Sequence, residues 1–298
     1  MTGTDDKGRA SGSLSLSFEV FPPKTDTQAD QISDVASSLK SFNPAFISVT
    51  YGAGGSTRER SVATVHRLAR ETSVPLAAHL TCVGASCRAL DAVIDDFRSY
   101  GVERFVVLRG DSPDGVGATY RPHPQGYQDT ADLVRHLKAT GASEISVSAY
   151  PERHPDSPDW RTDIDTLKRK VDAGADRAIT QFFFDNDRYE SYVGRVRAAG
   201  LSIPIVPGIL PIHNINTVRD FAARCGASVP KTILSRFNGI EPKTAGHRRA
   251  ALQIAQEQIE DLLARDIGAF HFYTLNRGNL VVPLCRWLAG QTGERNAA

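Results

Sequence analysis

The stretch Leu14-Ser15-Leu16-Ser17-Phe18-Glu19-Val20-Phe21-Pro22-Pro23 decides the fold. It reads as a buried strand with one carboxylate in its middle, and it runs straight into two prolines. A doubly wound nucleotide-binding sheet places a glycine-rich turn after its first strand, to bring backbone close to a phosphate. Phe21-Pro22-Pro23 contains no glycine, so the chain turns toward the other repeating α/β architecture, the barrel.

Working outward, β-rich runs recur at Leu14–Phe21, Phe46–Thr50, Leu76–Thr81, Arg104–Arg109, Glu144–Tyr150, Arg177–Phe184, Ile203–Ile209 and Phe270–Leu275. Between them lie helical stripes of period 3.6: Asp30–Phe42, Glu59–Glu71, Leu90–Tyr100, Asp163–Ala173, Tyr189–Ala199, Ile215–Cys225 and Asn279–Ala289. Gly101, Gly141, Gly174, Gly200 and Gly226 stand where helices end. A strand followed by a helix, eight times over, predicts a single (β/α)8 TIM barrel over residues 14–290. An extra helix at Thr244–Arg265 precedes the eighth strand. Residues 1–13 read as a disordered polar tail and 291–298 as a short C-terminal tail.

Composition narrows the function classes. The 298 residues carry 35 Lys+Arg against 34 Asp+Glu, so the basic excess of a non-specific nucleic-acid binder is missing. Apolar runs are far shorter than a membrane span, and the N-terminus lacks the apolar core of a secretory signal. Cys82, Cys87, Cys225 and Cys285 have no metal-ribbon spacing and suit a reducing compartment. The expectation is a cytoplasmic protein with no membrane or nucleic-acid partner and no metal. Exposed barrel helices commonly pair, so a dimer or tetramer is expected.

Active sites of such barrels lie at the C-terminal ends of the strands. The polar residues there are Glu19, Thr50, Tyr51, His79, Thr81, Arg109, Asp111, Tyr150, Glu152, His154, Gln181, Tyr273, Asn276 and Arg277. Acid, amide and guanidinium groups without a metal motif point to proton-assisted chemistry on an organic substrate or cofactor. Each residue also has a structural reading. Glu19 serves equally as a buried ion-pair partner, Phe221 fits the apolar stripe of its helix, and Arg169 with Lys170 fits a solvated face.

Nine ordered motifs carry a resemblance. They begin with Ser17-Phe18-Glu19-Val20-Phe21-Pro22-Pro23-Lys24, Val49-Thr50-Tyr51-Gly52-Ala53-Gly54-Gly55-Ser56-Thr57 and Ala78-His79-Leu80-Thr81-Cys82. Leu108-Arg109-Gly110-Asp111, Ala149-Tyr150-Pro151-Glu152 and Leu167–Ala175 follow. Ala178–Asp185, Pro207-Gly208-Ile209-Leu210-Pro211 and Phe270–Arg277 complete the set. In this order they resemble the methylenetetrahydrofolate reductases.

The resemblance implies a flavoprotein that reduces 5,10-methylenetetrahydrofolate to 5-methyltetrahydrofolate with FAD and NADH or NADPH, supplying methyl groups for methionine synthesis. It implies that Glu19 is the general acid, and that Asp111 is a carboxylate contacting the pterin beside the flavin. Gln181, Phe221 and Arg277 would contact the folate, Arg277 at its tail. Thr50, Tyr51, His79, Leu108, Arg109, Gly110, Asp111, Tyr150, His154, Asp163, Arg169 and Lys170 would hold FAD. Three places depart from the family's pattern. Asp129-Thr130 replaces a Tyr-Ala pair, with Tyr127 as a nearby substitute; Thr166 stands for an Asn; Thr217 stands for a Gln. The first keeps open direct hydride transfer from NAD(P)H without flavin. A non-catalytic folate-binding barrel is a separate further reading, against which the intact Glu19, Asp111 and Gln181 set argues. Family members with a regulatory domain for S-adenosylmethionine are longer, so no inhibition by that compound is expected.

Overall fold

A computed structural model describes residues 14–51, 55–110 and 120–295. In chain order the first half holds β1 (Ser15–Val20), α1 (Asp26–Lys40), β2 (Phe46–Val49), α2 (Gly55–Glu71), β3 (Leu76–Thr81), α3 (Cys87–Ser99), β4 (Arg104–Leu108), α4 (Thr130–Ala139) and β5 (Glu144–Ala149). The second half holds α5 (Trp160–Asp172), β6 (Arg177–Thr180), α6 (Asn186–Ala198), β7 (Ile205–Val206), β8 (Gly208–Ile209), α7 (Ile215–Cys225), α8 (Lys231–Ser235), α9 (Ala245–Ala264), β9 (Ala269–Tyr273) and α10 (Gly278–Arg295).

All pairings are parallel, in the order β7-β6-β5-β4-β3-β2-β1-β9-β8. The two ends of this list, β7 and β8, are halves of one seventh strand. Pro207 separates them because it has no N–H to give the ladder. Its carbonyl still accepts the amide of His271 at 3.0 Å, while the amide of Gly208 donates to Thr180 Oγ1 at 2.9 Å. The barrel therefore closes through Pro207, and the eightfold strand–helix alternation is that of a TIM barrel.

Other boundaries also moved. The sixth strand stops at Thr180 rather than Phe184, and the eighth at Tyr273, beyond which Leu275 and Asn276 adopt positive φ. A helix absent from the periodic list, α4, begins at Thr130 under a cap from Asp129. The final helix continues to Arg295, past the boundary set at 290. The tail over residues 1–13 lies outside the described residues.

Alternation along each strand sorts the side chains. Leu16, Phe18 and Val20 point outward into the apolar layer under the helices, which contribute Ile32, Val35, Ala36 and Leu39 from α1. Ser17 and Glu19 point inward. The barrel interior has an apolar floor of Phe46, Ala77, Val106, Ile179 and Val206. Above it the filling turns polar, and that change of composition sets the site. No helix among the described residues is long and apolar enough to cross a membrane.

Candidate active site

Two cavities meet at the C-terminal end of the barrel. The first, about 320 Å³, opens along the barrel axis between Glu19, Thr50, His79, Gln181, Phe221 and Tyr273. The second, about 570 Å³, lies beside it over β4 and β5, walled by the loops before α4 and α5 and by α5 itself. Tyr51, Leu108, Ser148 and Tyr150 line both.

Glu19 sits on the wall of the axial cavity and is only 7% exposed. Burial pushes its carboxyl up to about 8, because the charged form loses its hydration. His79 Nε2 stands 3.5 Å from Glu19 Oε2, and burial holds this imidazole down at about 3. Both partners are thus neutral at pH 7, so this contact is not an ion pair. Behind them His271 shares a 2.8 Å hydrogen bond with Ser17 through Nδ1, and burial depresses it to about 3 as well.

Gln181 turns its Oε1 back to the Phe182 amide at 3.1 Å. Phe221 stacks on Phe182 with ring centroids 5.3 Å apart, and one edge of it remains on the cavity. Both readings of Phe221 therefore hold: it is packed on core aromatics and it borders the axial cavity. Tyr273 crosses the mouth to donate to the Thr180 carbonyl at 2.7 Å. That crossing requires Gly208, where a Cβ would lie 2.5 Å from the Tyr273 ring.

The lateral cavity is lined by Tyr51, Leu108, Arg109, Gly110, Tyr150, His154, Asp163, Arg169 and Lys170 from the expected cofactor set. Thr50 and His79 line the axial cavity instead. Gly110 is held at φ +85, and a side chain there would strike Val83. Lys170 is buried and donates to the Ser148 carbonyl at 3.1 Å and its hydroxyl at 3.2 Å. Burial lowers its ammonium to about 8, against the opposing pull of Asp163. Burial, then the Arg109 cation, holds His154 below the usual imidazole value.

Two of the three cations of this cavity come already matched. Arg109 pairs with Asp156 at 2.6 Å and Arg169 with Asp129 at 3.0 Å. The Asp163 carboxylate instead accepts from the His154 amide and the Ser157 hydroxyl. Whereas the Tyr51 phenol faces Arg58, Thr81 Oγ1 and the Tyr120 phenol are buried without a hydrogen-bond partner. Such groups are costly unless a ligand satisfies them.

Other residues fall elsewhere. Asp111 lies outside the described residues. Arg277 is exposed on the turn after β9, close enough to His213 to depress it, and lines neither cavity. Tyr127 does not replace the missing tyrosine. Its hydroxyl donates to Asp91 at 2.7 Å, which fixes the ring against α3 and His136. Beside Tyr51 and Tyr150, a further tyrosine on the lateral cavity is Tyr120, whose ring lies 5.4 Å from the Arg109 guanidinium. It sits in an aperiodic stretch, and no pattern marks it. Thr166 lines the lateral cavity, whereas Thr217 is exposed and lines neither. Asp156 was also missed, although it follows directly on the His154-Pro155 pair.

Comparisons with known proteins agree with one another. A family model described as methylenetetrahydrofolate reductase matches residues 6–289. The 5,10-methylenetetrahydrofolate reductase of Pectobacterium carotovorum subsp. carotovorum is 38% identical over 277 residues, 93% of this chain and 91% of that one. The enzyme of the same name from Escherichia coli strain K12 is 36% identical over 282 residues, covering 95% and 93%. Among solved structures, an uncharacterized Clostridium thermocellum protein described as binding two copies of 5-methyl-5,6,7,8-tetrahydrofolic acid superposes with a TM-score of 0.62. It is 13% identical and covers 93% of this chain and 95% of its own, a likeness of fold alone. With motifs, barrel and two relatives of nearly its own length in agreement, the chain belongs to the methylenetetrahydrofolate reductase family.

Proposed function

We propose that the chain reduces 5,10-methylenetetrahydrofolate to 5-methyltetrahydrofolate with a hydride that originates from NADH or NADPH. The observation that carries this reading is Glu19, a carboxyl that keeps its proton to about pH 8 at the wall of an open cavity. Opening the five-membered ring of the substrate breaks a carbon–nitrogen bond, and the electron pair stays on the amine nitrogen. Glu19 gives that nitrogen its proton, so the ring opens to an iminium cation instead of expelling an anionic amide. Hydride arriving at the iminium carbon completes the methyl group.

Gln181 offers its amide to the pterin edge, and Phe221 and Phe182 offer aromatic faces to the rings. Arg277 would meet the carboxylates of the folate tail. Asp111 is proposed as the carboxylate that favours the cationic iminium. The partnerless hydroxyls of Thr81 and Tyr120, with the cations Arg109, Arg169 and Lys170, suit a flavin dinucleotide in the lateral cavity. When bound there, FAD would carry the hydride from NAD(P)H to the folate. The test is purified protein supplied with FAD and NADH: it forms methyltetrahydrofolate, and failure to do so overturns the reading.

One observation favours a second mechanism. Asp129, Asp156 and Asp163 all line the lateral cavity and oppose a pyrophosphate. If reconstituted protein reduces the folate but has no visible flavin band, hydride passes directly from the nicotinamide.

A further inference from the structure

The turn that leaves β9 grips the chain where it leaves β1. The two strands pair in parallel, with Glu19 opposite Tyr273. Their last rung is doubled: the Glu19 carbonyl accepts the Thr274 amide at 3.2 Å and the Thr274 hydroxyl at 2.6 Å. Beyond it the chain turns away from β1. The Thr274 carbonyl accepts the Arg277 amide at 3.0 Å, which closes a four-residue turn. The Phe21 backbone then has no strand on this side, and the side chain of Asn276 takes the strand's place. Its Oδ1 accepts the Phe21 amide at 2.7 Å, and its Nδ2 donates to the Phe21 carbonyl at 2.9 Å. An Asn amide carries the same donor and acceptor as a peptide, so one side chain satisfies both groups.

The turn is strained. Both of its central residues, Leu275 and Asn276, have positive φ, at 50 and 58. Asn tolerates this region, but a leucine there is disfavoured because its Cβ crowds the backbone. Such strain persists where the surroundings over-determine it, and it gathers at functional sites. Here the surroundings are specific. Thr274 is fully buried, and its hydroxyl also accepts the Asn276 amide at 3.1 Å. The Thr274 carbonyl accepts a second bond from the buried His213. Leu275 and Phe21 both border the axial cavity.

What the grip controls is Glu19. The His79 contact, at 3.5 Å, is longer than a firm hydrogen bond. The carboxyl therefore takes its place chiefly from its own backbone. The grip fixes that backbone at the Glu19 carbonyl through Thr274, and two residues on through Asn276. We propose that Asn276 is a positioning residue: by clamping Phe21 it holds the Glu19 carboxyl on the wall of the axial cavity, within reach of the nitrogen it protonates. The proposal rests on the acid role given to Glu19 above. Proton transfer needs hydrogen-bond geometry, and a displacement of about 1 Å costs on the order of 10²-fold in rate.

The test is Asn276→Gly, which keeps the positive φ and removes both bonds to Phe21. It should lower kcat for folate reduction about 10–100-fold and leave the folate KM and the quinone oxidation of NAD(P)H within about twofold. In protein that already carries Glu19→Gln, the same substitution should add less than about a twofold further loss, because a residue acting through Glu19 has nothing left to position. Circular dichroism checks the fold. Should the glycine variant not fold, Asn276→Asp gives the same pattern with a smaller loss. It still accepts the Phe21 amide and no longer donates to the carbonyl. A raised folate KM with kcat intact overturns the proposal and marks a turn that only places Arg277. An equal fall of both reactions, or a loss that adds in full to Glu19→Gln, overturns it too. Should the parent form no methyltetrahydrofolate, it is the folate reading that fails. The infrared band of the protonated Glu19 carboxyl, identified by difference from Glu19→Gln, then tests the grip alone. Loosened toward water, Glu19 should ionise at lower pH in Asn276→Gly. The other titratable groups on the cavity, Tyr51, His79, Tyr150, His271 and Tyr273, remain in the variant, so a shift reports movement of the carboxyl. A band that titrates as in the parent overturns the proposal.

Discussion

His79 Nε2 lies 3.5 Å from Glu19 Oε2 inside the barrel, and at neutral pH neither side chain carries a charge. An imidazolium at that distance would draw the carboxyl down toward ionisation. A neutral ring leaves burial unopposed, so Glu19 remains an acid. The barrel interior thereby keeps a strand glutamate protonated at neutral pH, the form that the proposed acid role requires.

The rate of folate reduction should accordingly hold level below about pH 8 and fall tenfold per unit above it, as Glu19 ionises. Oxidation of NAD(P)H by a quinone acceptor needs no proton from Glu19 and should lack that limb. Parallel pH profiles of the two reactions check this. A fall shared equally by both would assign the titration to another group.

Glu19→Gln should cost folate reduction about 10²–10⁴-fold and spare the quinone reaction. It should also stabilise the protein, with a definite sign in pH. The folded state holds the Glu19 proton to about 8, the unfolded chain only to about 4.5. Stability is therefore lost as pH rises between those values, by roughly 3–5 kcal/mol at pH 8. The variant escapes that loss. Its melting temperature should match the parent's near pH 4 and exceed it by several degrees at pH 8. Equal melting curves at both pH values would sink the argument.

Asp129 caps α4 by accepting the Asp132 amide, and it also neutralises Arg169 on the lateral cavity. Asn caps a helix as well as Asp does but carries no charge. Asp129→Asn should leave stability within about 0.5 kcal/mol and tighten FAD binding about three- to fivefold, the value of one exposed charge pair. Flavin fluorescence titration measures it; weaker binding would mean that Asp129 helps to hold the cofactor.

Gly208→Ala should destabilise by about 2 kcal/mol, because the new methyl meets the Thr180 carbonyl and the Tyr273 ring where the barrel closes. Urea denaturation provides the value. A change below about 0.5 kcal/mol would show that the seventh strand yields at this point.

Much of this was legible along the chain. The stripe Ile32, Val35, Ala36 and Leu39 is buried as its period requires, and Gly101, Gly141, Gly174, Gly200 and Gly226 all close helices at positive φ. These features depend on local backbone preference and on which side chains water rejects, both written in neighbouring residues. The break at Pro207 was less legible. A proline interrupts a ladder, but only the partner strands reveal that one half pairs with β6 and the other with β9.

The barrel, the family and the inward strand position of Glu19 are written in the order of the residues. The chemistry of that position comes from the fold around it. The acidity of Glu19 depends on the dielectric around it and on a His79 whose own charge burial removes, and residues 60 apart in sequence build that surrounding together. The same holds for Tyr120, brought to the lateral cavity while Tyr127 is held against α3. Periodicity reports which face of an element is dry. It does not report which distant side chains close over that face, and their burial sets the pKa.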